Sequence, residues 1–302
     1  MQQKIILDVD TGHDDMIAIV MASGLPQIEV MGIVAVAGNQ ILEKTLLNTL
    51  RVCDLIGQTA PVFAGSDRPI IRPKVVAGDI HGKSGLDGPV FPPLKKQVEK
   101  MHGVNFIIET ILANPHEITL VPTGPLTDIA LAIRLEPKIV NLVKKIVLMG
   151  GSLKRGNRTE HAEFNIFADA EAAHIVFSSG SPIVMMGLDV TLQVQLKTER
   201  LERYKQLNTK TTEMFVASMS NYMEACRRHG ADYPAMHDPI CVAYVADNSL
   251  FTLNPYSIEV ELKDEVKYGR TWAKEGSSVL VGTGVDEPKF WALLEQSFAN
   301  LP

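Results

Sequence analysis

The stretch KIILDVDTGHDD, Lys4 to Asp15, decides how the chain folds. Ile5, Ile6, Leu7 and Val9 are apolar without alternation, the pattern of a strand covered on both faces. Acids follow at once, and then MIAIVMAS, long enough and apolar enough for a helix packed on that strand. The same rhythm recurs further along. Strands are expected at Lys4–Val9, Glu29–Val36, Pro61–Ala64, Ile118–Pro122, Lys145–Met149 and Ile183–Met186. Helices are expected at Asp14–Ser23, Leu42–Ile56, Val104–Ala113, Leu126–Leu135 and Asp169–Ser179. Strands alternating with helices predict an α/β fold: an open, mostly parallel wound sheet, Rossmann-like, with helices on both faces.

Beyond about Leu188 the pattern turns helical, over Glu199–Arg228 and Asp238–Ala246. Short strands return near Tyr256–Leu262 and Ser278–Val281, and a last helix covers Glu287–Ala299. With no linker or repeat, residues 1–302 read as one domain with a helical C-terminal elaboration. The longest stretch without clear elements is Gly65–Met101, and long ordered loops usually serve function.

The composition narrows the chemistry. The 302 residues carry a net charge of −6 and are 46% hydrophobic and 21% charged, which excludes disorder and argues against binding a nucleic-acid backbone. No run reaches the ~20 apolar residues of a membrane span. Three cysteines, Cys53, Cys226 and Cys241, show no CxxC spacing. They suit a reducing cytoplasm rather than a disulfide framework or a zinc site.

Ligands of open parallel sheets bind beyond the carboxyl ends of the strands, and polar residues gather there in this sequence. Asp8, Asp10, Asp14 and Asp15 follow the first strand, Asn39 the second, Thr123 the fourth and Met149-Gly-Gly the fifth. Four carboxylates in eight positions, with no Lys or Arg among them, repel one another unless a cation intervenes. Helix capping explains one or two of these acids but not four. Oxygen ligands without cysteine favour a hard ion, Ca²⁺ or Mg²⁺.

The pattern D-x-D-x-G-x-D-D after a first strand resembles the signature of the inosine–uridine-preferring nucleoside hydrolase family. Further matches follow in order: AGNQ (37–40), IHGKSGLDG (80–88), PTGPLTD (122–128), LMGG (148–151), AEFNIFADAEAA (162–173) and MHDP (236–239). The resemblance implies a Ca²⁺-dependent hydrolase of purine or pyrimidine ribonucleosides, acting in nucleoside salvage and assembled as a homodimer or homotetramer. It implies that Asp10, Asp15, Asp238 and the Thr123 carbonyl bind Ca²⁺. Asp10 would also act as general base on a water held there. Asp14, Asn39 and Asn165 correspond to contacts with the ribose hydroxyls, and Glu163, Asn157 and Met149 to contacts near the 5′-hydroxyl. His81 and His237 correspond to residues facing the base, where a ring titrating near its ordinary pKa of about 6.5 could protonate the leaving group.

The residue types suit that chemistry independently. Cleaving an N-glycosidic bond develops positive charge on the ribosyl group, which nearby carboxylates stabilise. Glu163 and Asn165, two apart, share a side in an extended segment. Blander readings remain beside these. Asn157 and Asn165 could be turn residues, Phe164 could pack under the ribose or in the core, and Asp238 before Pro239 could cap a helix. Asp189 reads as structural, and His13 receives no role. Thr11 and Asp128 stand where the family often has Pro and Asn, and Asn221–Pro234 is hard to align, which leaves purine against pyrimidine open. Two alternatives compete. One is a haloacid-dehalogenase-like phosphatase using Asp8 as nucleophile, Asp10 and Mg²⁺; the other is a catalytically silent nucleoside-binding protein.

Overall fold

A computed structural model describes residues 2–302. Its strands are β1 (Gln3–Val9), β2 (Ile28–Ala35), β3 (Val62–Ala64), β4 (Val98–His102), β5 (Thr119–Pro122), β6 (Lys145–Met149), β7 (Ile183–Met186), β8 (Phe251–Val260) and β9 (Thr271–Val285). They form one sheet in the order β4-β3-β2-β1-β5-β6-β7-β9-β8. All neighbours pair in parallel except β8 and β9, which are antiparallel. The chain winds one way from β1 to β4 and the other way from β5 onward. The sheet therefore reverses direction between β1 and β5, where a crevice opens at the strand ends.

Alternate residues of each strand build the two halves of the core. Ile5, Leu7 and Val9 join Val121, Val147 and Met186 on one face, beneath the helices His13–Gly24, Pro239–Ala246 and Glu287–Ala299. Ile6, Leu120, Ile146 and Met185 point the other way, toward Gly103–Ala113, Thr127–Leu135 and Ala170–Phe177. The unbroken apolar runs in the sequence arise from this double coverage.

The structure departs from expectation in four places. The stretch Gly65–Met101 contains a short helix, Gly78–His81, and runs into β4. Every residue of β4 is exposed, so this edge strand has no buried face to leave an apolar pattern. The helix expected over Glu199–Arg228 is two helices, Thr198–Lys205 and Lys210–Arg228. The break falls at Asn208, in the left-handed region at φ 52°, and Thr209 caps the second helix by accepting the Thr212 N–H. Near Asp169 there are also two helices, Phe164–Ala168 and Ala170–Phe177. The C-terminal strands β8 and β9 are longer than expected and extend the main sheet, so the region after Leu188 is not a purely helical elaboration. Among the described residues no helix is long and apolar enough to cross a membrane.

The first and last helices pack closely enough that Gly24 tolerates no side chain. A Cβ there would collide with the Ser297 backbone carbonyl, and the Asn300 side chain donates to the Gly24 carbonyl at 2.8 Å. Gly24→Ala is expected to cost about 1–3 kcal/mol through overpacking. A urea midpoint equal to that of the parent would refute this packing.

Candidate active site

The site is built where β1 and β5 separate. The Thr123 N–H donates to the Asp8 carbonyl at 2.8 Å, which ties the two strand ends together. Asp15 is the organiser. Its Oδ1 accepts from the Asp10 N–H (3.2 Å) and the Thr123 hydroxyl (2.7 Å), and its Oδ2 from the Gly12 N–H (3.0 Å) and Asn39 Nδ2 (3.1 Å). One carboxylate thus fixes the β1 turn, the residue after β2 and the residue after β5. The Asp10 Oδ2 accepts the Asn39 N–H at 2.6 Å. A Cβ on Gly38 would collide with that oxygen, so a residue without a side chain is required there.

The carboxylates of Asp14, Asp15 and Asp238 each offer an oxygen within 4.8 Å of the others, and all three residues are buried. Asp10 stands outside this trio. The Asp14 Oδ1 is buried without a hydrogen-bond partner. Desolvation, and then the charge of Asp15, pushes Asp14 up to about 8. Desolvation also raises Asp10 and Asp238 well above the usual carboxylate range, reinforced by Asp15 for Asp10 and by Asp14 for Asp238. Buried acids that resist ionisation together and leave an oxygen unpartnered make a donor set suited to a hard divalent cation. The capping alternative for Asp238 does not hold: it precedes Pro239 at the helix start, but its side chain makes no cap hydrogen bond.

Of the residues that the resemblance assigns to metal, ribose or base, all but Asp10 and Asp15 line one cavity of about 710 Å³. Asn165 Nδ2 donates to the carbonyls of Thr123 (2.6 Å) and Met149 (3.1 Å), joining the ends of β5 and β6. Glu163 caps the Phe164–Ala168 helix: its carboxylate accepts from the N–H groups of Asn165, Ile166 and Gly151 at 2.9–3.2 Å. Burial raises its pKa. Asn157 accepts the Phe164 N–H at 2.9 Å, so it has a structural task as well as a place in the cavity wall. Asp189 accepts the Leu153 N–H at 2.7 Å, in keeping with a structural role.

His81 and His237 both face the cavity, with Nδ1 engaged on the protein side: His81 toward His13, and His237 with the Thr191 hydroxyl at 2.8 Å. Their protonation differs from expectation. Desolvation lowers His237 to about 4 and His81 well below its ordinary value. Both rings are therefore neutral at pH 7, able to hydrogen-bond but not to bring a positive charge.

The sequence reading missed two rings. Tyr222, on the Lys210–Arg228 helix, lines the cavity and stacks on both His13 and His81. Its spacing with Ser218, Met219 and Cys226 is that of an ordinary core stripe, which hid it. His13 carried no pattern beyond its place among the acids. The phosphatase alternative fails on geometry: Asp8 does not reach the cavity, and no lysine lines it.

Comparison with known proteins agrees with this architecture. The sequence model of the inosine-uridine preferring nucleoside hydrolases matches residues 5–292. The chain is 44% identical to the pyrimidine-specific ribonucleoside hydrolase RihB of Shigella sonnei, over 98% of this chain and 96% of that protein. Among solved structures, a purine-preferring ribonucleoside hydrolase from Gardnerella vaginalis superposes with a TM-score of 0.93 at 34% identity, covering 98% of each chain. A plant nucleoside hydrolase gives 0.93 at 28%, covering 98% of this chain and 99% of its own. With a family model spanning nearly the whole sequence and relatives aligned end to end, the chain belongs to the inosine-uridine preferring nucleoside hydrolase family of enzymes.

Proposed function

We propose that this chain hydrolyses the N-glycosidic bond of ribonucleosides to free base and ribose, with Ca²⁺ as its metal. The observation that carries this reading is the trio of buried carboxylates at the floor of a nucleoside-sized cavity, at the reversal point of a parallel sheet. Asp15 and Asp238, together with Asp10 and the Thr123 carbonyl, would hold the ion. When bound, it would neutralise the acids, order the ribose diol and increase the acidity of nearby water.

The chain's own residues account for the remaining steps. Asp10 takes a proton from the attacking water, whose oxygen bonds to C1′ as the C1′–N bond breaks. Its burial raises its proton affinity, which suits a general base. Asp14, Asn39 and Asn165 orient the ribose hydroxyls, and their carboxylate and carbonyl dipoles favour the positive charge developing on the sugar. Glu163 and Asn157, with Met149 beside them, receive the 5′ end, and Phe164 packs on the sugar side. Neutral His81 and His237 donate hydrogen bonds to the departing base, which recovers its proton from water. The higher identity to relatives named pyrimidine-specific supports uridine and cytidine as substrates. The continuous sheet supports reading residues 1–302 as a single domain.

Asp10→Ala is expected to reduce ribose release from uridine by about 10²–10⁴-fold, the usual contribution of a general base, while nucleoside binding persists. Full activity in that variant would remove Asp10 from the mechanism. Parent protein that binds nucleosides with Ca²⁺ present yet releases no ribose would instead support the binding-protein alternative.

Chelation should abolish turnover, and Ca²⁺ should restore it. The metal also gives a pH signature. Asp14 is raised from 3.8 to about 8, so the metal-free fold holds extra protons between those values and loses stability as pH rises through that window. Added Ca²⁺ should therefore raise the thermal midpoint more at pH 8 than at pH 5. Equal shifts at both pH values would argue against an ion among these acids.

A further inference from the structure

His81 ends the four-residue helix Gly78–His81, away from the sheet, so its ring is oriented by side-chain contacts rather than by the sheet. Those contacts converge on His13. The His13 N–H points at His81 Nδ1 at 3.3 Å, and the His13 ring Nδ1 lies 3.2 Å from the same atom. A Cβ on Gly12 would collide with His81 Nδ1, so the imidazole is seated directly against the backbone of the acid-rich turn.

His13 is held in turn from its far side. Its Nε2 lies 3.1 Å from the Asp87 carbonyl. A carbonyl only accepts, so the proton sits on Nε2, and neutral His13 presents Nδ1 to His81 as an acceptor. The Asp87 carbonyl is fixed because the Asp87 carboxylate accepts from the N–H groups of Lys83 and Ser84, both at 3.0 Å, closing a tight turn. Tyr222 stacks on His13 (centroids 5.0 Å apart, planes at 11°) and on His81 (5.5 Å, 27°). Rings from the β1 turn, the loop after β3 and the Lys210–Arg228 helix are thus locked together.

From this geometry we propose that His13 is a positioning residue for the reaction, fixing the ring of His81 against the nucleobase. The proposal rests on the nucleoside hydrolase reading above. His13 is buried and does not line the cavity, so it cannot touch substrate itself. It offers His81 Nδ1 both a donor, its N–H, and an acceptor, its ring nitrogen. Either tautomer of His81 therefore keeps a partner at His13, and Nε2 is the nitrogen left for the ligand. That edge can donate to a carbonyl of the base or accept from one of its N–H groups without the ring moving.

The test compares a nucleoside with an activated aryl riboside. Uridine needs its departing base hydrogen-bonded, whereas the p-nitrophenyl group of p-nitrophenyl β-D-riboside departs without that help but still needs the water-activating acids. His13→Phe keeps the stack on Tyr222 and loses both nitrogens; His13→Asn places an amide where Nδ1 was. In His13→Phe, kcat for uridine should fall about 10- to 100-fold, the usual effect of losing a supporting partner, while the aryl riboside is cleaved at the parental rate. His13→Asn should recover most of the loss. In a His81→Ala background, His13→Phe should add nothing to the loss on uridine.

Parallel losses on both substrates, an unchanged rate on uridine, or additive effects of the two substitutions would overturn the positioning role. If His13→Phe does not fold, His13→Gln, which can keep the Asp87 contact and removes Nδ1, gives the same comparison. Parent protein that cleaves neither substrate would overturn the hydrolase reading instead, so the two failures are distinguishable.

Discussion

Four aspartates, three from the turn after β1 and one from far along the chain, must share a volume almost free of water. Asp10, Asp14 and Asp15 are at most 5% exposed, and Asp238 joins them from the far end of the chain at 3%. Repulsion among such groups would drive the turn apart unless something anchors it. The anchor is Asp15, whose two oxygens accept four hydrogen bonds from Asp10, Gly12, Asn39 and Thr123. Charge-assisted bonds of this kind are among the stronger ones in proteins, and here they come from the ends of three adjacent strands. The cavity floor is consequently held in place before any ligand arrives.

This anchoring explains the division of labour among the acids. Asp15 is fully engaged with protein donors, Asp10 is half-engaged through Asn39, and Asp14 has an oxygen with no partner at all. Asp14, with its unpartnered oxygen, lines the cavity, where an ion and a ribose diol would meet it in the proposed reaction. Elsewhere in the cavity wall, the Glu163 carboxylate is immobilised by three backbone N–H groups. Both parts of the site are rigid, which favours catalysis by pre-organised electrostatics over rearrangement.

Much of this was legible in the sequence because double burial writes itself into composition. β1, β2, β5, β6 and β7 all show unbroken apolar runs, and the polar residues after them fall at the carboxyl ends where the cavity lies. β4 was not legible, since an exposed edge strand has no apolar requirement. The break at Asn208 was hidden within a long helical pattern, because one left-handed residue interrupts a helix without changing its periodicity. His13 and Tyr222 were missed for another reason. Each matters through a neighbour distant in sequence, His81, and spacing along the chain does not record such a contact.

The period of a β-strand also settles which acids can belong to the site. Side chains of β1 alternate, so Leu7 and Val9 face one half of the core while Ile6 and Asp8 face the other. Asp8 is thereby carried under the sheet toward Asp128, on the Thr127–Leu135 helix. There Asp128 Oδ1 accepts from the N–H and hydroxyl of Ser66, at 2.9 and 2.6 Å. Neither Asp8 oxygen meets a donor, and Asp128 Oδ2 has none either. Desolvation, and then the charge of Asp128, raises Asp8 well above the usual range. An acid facing away from the cavity can serve there neither as nucleophile nor as metal ligand. The D-x-D pattern that two enzyme classes share thus divides at the end of the strand: the first aspartate lies below the sheet toward Asp128, and the second, beyond the strand, is held by the Asn39 N–H.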